Sequence, residues 1–137
     1  MSDRIFLDTN ILICAHDAGS PGKQRKSRDI ISKLAESGDG VISTQVIQEF
    51  YVAATRKLGV EPLVAKGVLK TFLIFDVVQI STPLIHEAID CSILNQLSFW
   101  DSLILAAAAS ASCSTVLSED LNSDQTILGV KIQNPFV

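Results

Sequence analysis

Six acidic residues of this chain stand where a carboxylate could hold a metal ion. They are Asp8, Glu49, Asp101, Glu119, Asp120 and Asp124. Two unit charges about 4 Å apart, at an effective dielectric constant near 20, repel each other by about 4 kcal/mol. Three or four carboxylates at one place would therefore need a cation to stay ionised. Hard oxygen donors with no histidine or thiolate at ligand spacing favour Mg²⁺ or Mn²⁺, and such ions commonly serve phosphodiester hydrolysis.

Each of these acids also has an ordinary explanation. Asp8 follows the apolar run Ile5-Phe6-Leu7, which predicts a buried strand, but it also precedes a helical pattern and could be its N-cap. Glu49 lies on the polar side of a predicted helix, where a glutamate is usually just solvated. Asp101 is the only charge between Asp90 and Glu119, yet Ser98 stands three residues before it, at the spacing of a capping box. Taken one at a time, these positions leave both roles open.

The elements that must position these acids alternate between strands and helices. Predicted strands cover residues 4–8, 41–43, 76–80, 116–118 and 130–132, and predicted helices cover residues 10–15, 23–36, 45–58, 62–72, 82–96 and 98–113. This alternation predicts an α/β fold, a three-layer α/β/α sandwich with a mainly parallel central sheet and right-handed crossovers. The acids then fall at strand ends or near helix starts along one edge of the sheet, which favours a shared metal site.

Length and cysteine usage set the protein class. The 137 residues predict one domain covering residues 1–137, large enough to bury a core without cross-links. The three cysteines are odd in number and widely spaced, which disfavours a disulfide framework or a thiolate zinc site and indicates a reducing, cytoplasmic compartment. The amino end shows no signal-peptide pattern, and the uncharged residues 102–118 are too few for a membrane span.

Charge is distributed unevenly along the chain. The net charge is −4, but nine of the eleven basic residues lie between Lys23 and Lys70, and residues 71–130 contain none. Solvated helix faces could produce such clusters, although the pattern also fits a basic surface for substrate beside an acidic metal pocket. The candidate phosphate contacts are Lys23, Arg25, Lys26, Arg28, Arg56 and Lys57.

Four short motifs, in order along nearly the whole chain, resemble the PIN domain family and within it the VapC-type ribonuclease toxins of prokaryotic toxin–antitoxin pairs. The first three are FLDTNIL from Phe6, STQVIQEF from Ser43 and FWDSLI from Phe99, the last followed by alanines. The fourth is VLSEDL from Val116, and a further likeness runs from Gly129-Val130 to Asn134-Pro135-Phe136. Where many members have a glycine before the fourth motif, this chain has Ser112-Cys113-Ser114.

The resemblance implies a set of site residues and an activity. It implies that Asp8, Glu49, Asp101 and Asp120 bind one or two Mg²⁺ or Mn²⁺ ions as the catalytic centre, with Glu119 or Asp124 as possible substitutes for Asp120. Asn10 and Ser118 would orient the groups around them. It further implies metal-dependent cleavage of RNA by a homodimer, and an antitoxin protein that blocks the site.

Two other functions remain open from the sequence. One is a catalytically inactive PIN module that binds RNA or an antitoxin, against which the presence of all four acids argues. The other is a phosphatase of the haloacid-dehalogenase kind, which also begins with an Asp at a strand end. That chemistry needs a second acid two residues later, where this chain has Asn10.

Overall fold

The computed structural model describes residues 3–137, which form a six-stranded sheet with helices on both faces. Met1 and Ser2, part of the amino end that shows no signal-peptide pattern, lie outside the described residues. The strands are β1 (Ile5–Leu7), β2 (Gly40–Ser43), β3 (Asp76–Val78), β4 (Thr115–Leu117), β5 (Thr126–Ile127) and β6 (Val130–Gln133). The helices are α1 (Thr9–Cys14), α2 (Pro21–Ser37), α3 (Thr44–Arg56), α4 (Pro62–Thr71), α5 (Thr82–Asn95) and α6 (Phe99–Ser110), with a 3₁₀ helix at Phe72–Ile74.

The strand order β3-β2-β1-β4-β6-β5 places β1 in the middle of the sheet. All neighbouring pairs are parallel except β5 with β6, and Phe6 of β1 lies opposite Val41 on one side and Val116 on the other. The chain winds outward from β1 to β3, then crosses back to β4, so right-handed crossovers put α1 to α4 on one face and α5 and α6 on the other. The boundary between β1 and β4 is thus the point where the winding reverses, which is where open α/β sheets bind ligands.

Apolar side chains from the strands and from α1, α3 and α6 form the core. Phe6, Ile42 and Leu105 have no exposed surface, as expected for strands and a helix covered on both sides. Among the glycines, Gly40 is the most closely packed, because a Cβ atom there would lie 2.5 Å from Cδ1 of Phe75. This core holds the middle strands rigidly, and the loops at their carboxyl ends start from it.

The predicted α/β fold with a mainly parallel central sheet is confirmed. All six predicted helices and five predicted strands are present, with ends displaced by three residues or fewer. Strand β5 was not predicted, because its two residues are too few to show an alternating pattern. Helix α6 ends at Ser110 rather than at residue 113, and Ser112 then adopts a left-handed conformation with φ 58°. Cys14, Cys91 and Cys113 are free and buried, as predicted.

None of the helices in residues 3–137 is long and apolar enough to cross a membrane.

Candidate functional site

Asp8 lies at the carboxyl end of β1, and both oxygens of its side chain accept hydrogen bonds. It is the N-cap of α1, since its Oδ1 accepts a hydrogen bond of 2.7 Å from the Thr9 N–H. Its Oδ2 accepts a second bond of 2.8 Å from the hydroxyl of Ser118, which follows β4. The Asp8 carboxylate therefore bridges the two strands at the reversal point of the sheet.

Burial makes Asp8 difficult to ionise. The residue is 7% exposed, and removal from water raises the pKa of its carboxyl from 3.8 to about 6. The hydrogen bonds from Ser118 and Thr9 lower this pKa, whereas the nearby charges of Glu49 and Asp101 raise it. Asp8 is thus a buried carboxylate whose negative charge is unfavourable in the metal-free protein and would be offset by a cation.

Asn10 ties the loop after β1 to the loop after β4. Its Oδ1 accepts a bond of 3.1 Å from the Glu119 N–H, which fixes the orientation of the amide. Its Nδ2 then lies 3.4 Å from Oδ2 of Asp8, 3.3 Å from Oγ of Ser118 and 3.2 Å from Oδ2 of Asp120. Asn10 therefore lies between the Asp8 and Asp120 carboxylates and is hydrogen-bonded to both.

Ser118 is fully buried and shapes the turn after β4. Besides donating to Asp8, its Oγ accepts from the backbone N–H groups of Asp120 at 3.2 Å and Leu121 at 3.3 Å. A hydroxyl that accepts from the N–H two residues later stabilises a tight turn. This turn brings the Asp120 side chain toward Asn10.

Glu49 reaches the site from α3. Its Oε1 accepts a bond of 2.7 Å from the Thr9 hydroxyl, and its Oε2 lies 3.5 Å from Nε2 of Gln45, one helical turn earlier. The same Gln45 nitrogen donates to the carbonyl of Trp100 at 3.2 Å. Gln45 therefore links α3 to the first turn of α6, which carries Asp101.

Asp101 stands in the first turn of α6 behind an N-cap serine. The Asp101 N–H donates to Oγ of Ser98 at 3.1 Å, so the predicted cap is present. The Asp101 side chain is half-buried and faces the same cavity as Asp8. As at Asp8, the capping geometry and a position in the site occur together, because the N-terminal end of α6 opens onto the carboxyl edge of the sheet.

Asp8, Glu49, Asp101 and Asp120 all line one cavity of about 280 Å³, here called the acidic cavity. Lys57 also lines it, so four acids face one lysine there. The other lining residues are Thr9, Asn10, Ile13, Gln45, Ala53, Trp100 and Ile104.

The donor set of the acidic cavity fits a hard divalent cation, because every charged donor is a carboxylate. Within residues 3–137, however, no three Asp, Glu, His or Cys side chains lie close enough together to share a metal ion as they stand. Oxygens of Asp8, Asp120 and Glu49 instead accept hydrogen bonds from Asn10 and Thr9. Metal binding would therefore replace some of these hydrogen bonds.

The three candidates for the fourth carboxylate of the predicted metal site occupy different positions in the structure. Asp120 lines the acidic cavity, whereas the Glu119 carboxylate pairs with the Lys23 ammonium and the Asp124 side chain is exposed outside the cavity. Glu119 is thus engaged by α2.

The predicted basic contacts divide into two groups. Lys57 lines the acidic cavity and Arg56 lines the groove beside it. The four predicted contacts on α2 are not among the residues that line either the cavity or the groove, although Lys23 reaches Glu119 next to Asp120. Those four are Lys23, Arg25, Lys26 and Arg28.

Sequence reasoning missed three residues of the site. Thr9 and Gln45 hold Glu49, and Trp100 borders the cavity. In the sequence Gln45 lies on the same polar side of the helix as Glu49, yet it is only 4% exposed, and its amide nitrogen contacts Glu49 and the Trp100 carbonyl. Its spacing of four residues before Glu49 is the signal that could have identified it.

The fold is similar to several solved toxin structures. One chain of a toxin–antitoxin complex from Klebsiella pneumoniae has a TM-score of 0.71 at 20% identity, with 96% of this chain and 97% of that chain covered. A chain of VapBC2 from Rickettsia felis, bound to a DNA fragment from the VapBC2 promoter, has a TM-score of 0.67 at 18% identity, with 95% of this chain and 97% of that chain covered. Mycobacterium tuberculosis VapC20, a sarcin-ricin loop cleaving toxin, has a TM-score of 0.65 at 20% identity, with 85% and 91% covered.

No curated protein matches the chain. The family model for the PIN domain matches residues 5–126, which include all four carboxylates of the acidic cavity. Because this match spans most of the 137 residues, the chain belongs to the PIN domain family.

Proposed function

We propose that this protein is a metal-dependent endoribonuclease and the toxin of a toxin–antitoxin pair, formed by one catalytic domain over residues 1–137. The observation that carries this proposal is that four carboxylates from four separate segments, one of them the buried Asp8, line the same cavity. A structural role does not require this arrangement, because ionised carboxylates at one place repel each other. A nuclease that binds Mg²⁺ or Mn²⁺ does require it.

In this proposal Asp8, Glu49, Asp101 and Asp120 hold one or two ions. When bound, the ion supplies an activated water and charge stabilisation for phosphodiester hydrolysis. The chain's own residues set the geometry. Ser118 and the Thr9 N–H hold Asp8, the Thr9 hydroxyl and Gln45 hold Glu49, and Asn10 holds the loop that carries Asp120.

Basic side chains near the acidic cavity would offset the phosphate charge. Lys57 lines the cavity and Arg56 lies beside it, so these two are the better placed of the six predicted contacts. Phosphate contacts of this kind position RNA without reading its sequence. An antitoxin partner is part of the proposal, supported by the toxin–antitoxin complexes whose toxin chains share the fold. A homodimer is part of it as an expectation from the family resemblance.

The experiment is cleavage of a labelled RNA pool by the purified protein with Mg²⁺ or Mn²⁺. Cleavage should stop with chelator and fall by at least about 100-fold in Asp101→Asn, since a ligand to a catalytic ion supplies several kcal/mol. The matched control is Asp90→Asn, an exposed carboxylate on α5 outside the cavity, which should cut like the wild type. Equal cleavage by the folded Asp101→Asn variant would refute the metal-centre assignment.

A binding module without catalytic activity is the second candidate. The observation that favours it is that no three potential ligand side chains of residues 3–137 lie at metal-binding distance. Calorimetry with Mn²⁺ distinguishes the ribonuclease from the binding module. The ribonuclease proposal requires that the wild type binds the ion and that the Asp8→Asn variant does not. Membership of the PIN family leaves the phosphatase alternative without support.

A further inference from the structure

Trp100 is the one tryptophan of the chain and has an unusual position. Its side chain is 61% exposed, although tryptophan is mostly buried in folded proteins. The Trp100 and Phe99 rings pack edge to face, with centroids 5.0 Å apart and planes at 76°, and most of Trp100 still faces solvent. It directly precedes Asp101, which places a fixed aromatic surface at the mouth of the acidic cavity.

Trp100 also forms a wall of a second cavity of about 520 Å³, here called the Trp100 groove. Val52 and Ala53 of α3 contribute apolar surface, and Arg56 and Lys57 add two cations. Val52 is 51% exposed, so this apolar surface is open to a ligand. The groove thus offers a flat apolar surface beside positive charge.

The Trp100 groove and the acidic cavity are continuous. Gln45, Glu49, Ala53, Lys57 and Trp100 line both of them. A ligand that passed through the acidic cavity would therefore have its next portion over Trp100.

The chemistry of the two cavities together identifies the occupant. The apolar walls suit a flat ring, the cations suit phosphate groups, and the adjacent carboxylates suit a cation-bridged phosphodiester. A nucleotide supplies both the flat ring and the phosphate groups in one ligand, next to Arg56 and Lys57. We propose that the Trp100 groove binds one unpaired nucleobase of the RNA substrate, stacked on Trp100, with Arg56 and Lys57 beside its phosphates.

This inference rests on the proposed function, because the nucleobase belongs to the strand held for cleavage. It also narrows the substrate class. A base can stack on an indole ring only if its own neighbours in the strand have separated from it, so the nucleotide next to the cleaved bond must be unpaired. The protein would therefore cut single-stranded segments or loops and leave continuous duplex intact.

Intrinsic fluorescence tests the proposal directly, since Trp100 is the only indole that can report. The probe is a short oligoribonucleotide of unpaired bases, titrated in chelator and low salt so that it stays intact and phosphate contacts are strong. Stacking should quench the emission until the protein is saturated. An abasic strand of the same length, and the same sequence as a duplex, should quench much less.

Variants then separate the ring from the charges. From the usual strength of base stacking, Trp100→Ala should bind a labelled strand about 5- to 150-fold more weakly, with Trp100→Phe in between. Arg56→Ala should weaken binding to every sequence and reduce the slope of log affinity against log salt by about 1. The matched controls are Leu63→Ala, 80% exposed on α4, and the exposed Lys66→Ala, both outside the groove.

Cleavage assays on the same proteins keep the two proposals distinguishable. If the wild type cuts RNA but unpaired strands leave the emission unchanged, the stacking site is overturned and the ribonuclease proposal stands. If unpaired strands quench but no RNA is cut, the nucleobase site stands and the ribonuclease proposal fails. Emission that changes with protein concentration alone would make the groove an interface between copies and would also overturn the inference.

Discussion

Replacing Asp8 with asparagine should stabilise the metal-free protein at neutral pH. The folded protein holds the Asp8 proton more tightly than the unfolded chain, since the pKa is about 6 against an ordinary 3.8. The free energy of unfolding is therefore undiminished below about pH 4, falls as the pH rises toward about 6, and stays lower above that. The difference corresponds to about 3 kcal/mol, taking 1.36 kcal/mol for each tenfold change in proton affinity.

Asparagine has the same shape as Asp8, but its amide nitrogen removes an acceptor from Ser118 and, at the longer distance of 3.4 Å, from Nδ2 of Asn10, which keeps its bond to Asp120. The amide oxygen can keep the bond from the Thr9 N–H, and the amide nitrogen then faces Oγ of Ser118. That Oγ already accepts from two backbone N–H groups, so the hydroxyl would lose its own acceptor at a cost of about 1 kcal/mol. A net gain of about 2 kcal/mol at pH 7.5 is expected.

Urea unfolding in chelator, at pH 4 and pH 7.5, measures this gain. Asp8→Asn should be about 0.5–1 kcal/mol less stable than the wild type at pH 4, where the lost Ser118 acceptor outweighs the small charge penalty, and more stable at pH 7.5. The exposed control Asp90→Asn should stay within about 0.5 kcal/mol at both. Saturating Mg²⁺ should reverse the order, because the wild type would gain about 2.7 kcal/mol at 100 times the dissociation constant and the variant nothing. A variant less stable than the wild type at pH 7.5 would refute the reasoning.

Three further substitutions test the packing around the site by urea unfolding. Ser118→Ala should lower the free energy of unfolding by about 2–3 kcal/mol, because the Asp120 and Leu121 N–H groups lose their acceptor. It should also raise the Asp8 pKa, measured by carbon-13 titration, and an unchanged pKa would contradict the bond from Ser118 to Asp8. Ser112→Gly should stabilise by about 0.5–1 kcal/mol, since Ser112 has φ 58°, and destabilisation would argue against that conformation. Gly40→Ala should cost about 1–3 kcal/mol because its Cβ would meet the Phe75 ring, and unchanged stability would contradict this close packing.

The α/β architecture could be predicted from the sequence because the order of strands and helices follows from local hydrophobic patterns. Buried strands at Phe6 and Val116 are marked by short apolar runs between polar breaks, and parallel pairing follows from the helices between them. The winding reversal at β1 and β4 was not readable, since strand order depends on which faces the helices cover.

The site was only partly predictable for a similar reason. Carboxylates at strand ends are conspicuous, but the groups that hold them are ordinary residues whose roles depend on tertiary contacts. Asn10 contacts Asp120 across 110 positions of sequence, and the buried Gln45 donates to the Trp100 carbonyl of another helix. The sequence likewise could not indicate that Asp120 rather than Glu119 lines the acidic cavity, because the Glu119 carboxylate pairs with Lys23 of α2, a distant part of the chain.

The bond from Ser118 to Asp8 has a consequence for hydrogen exchange. Neighbouring amides close the same junction, since the Asp8 N–H donates to the Leu117 carbonyl at 3.1 Å and the Ser118 N–H donates to Gln133 at 3.0 Å. These bonds can open only if the middle of the sheet separates, so their deuterium uptake should report global unfolding. A cation bound at Asp8 would therefore slow hydrogen exchange across the whole sheet. The slowing equals the ratio of total to cation-free folded protein, and frayed helix ends would exchange as before.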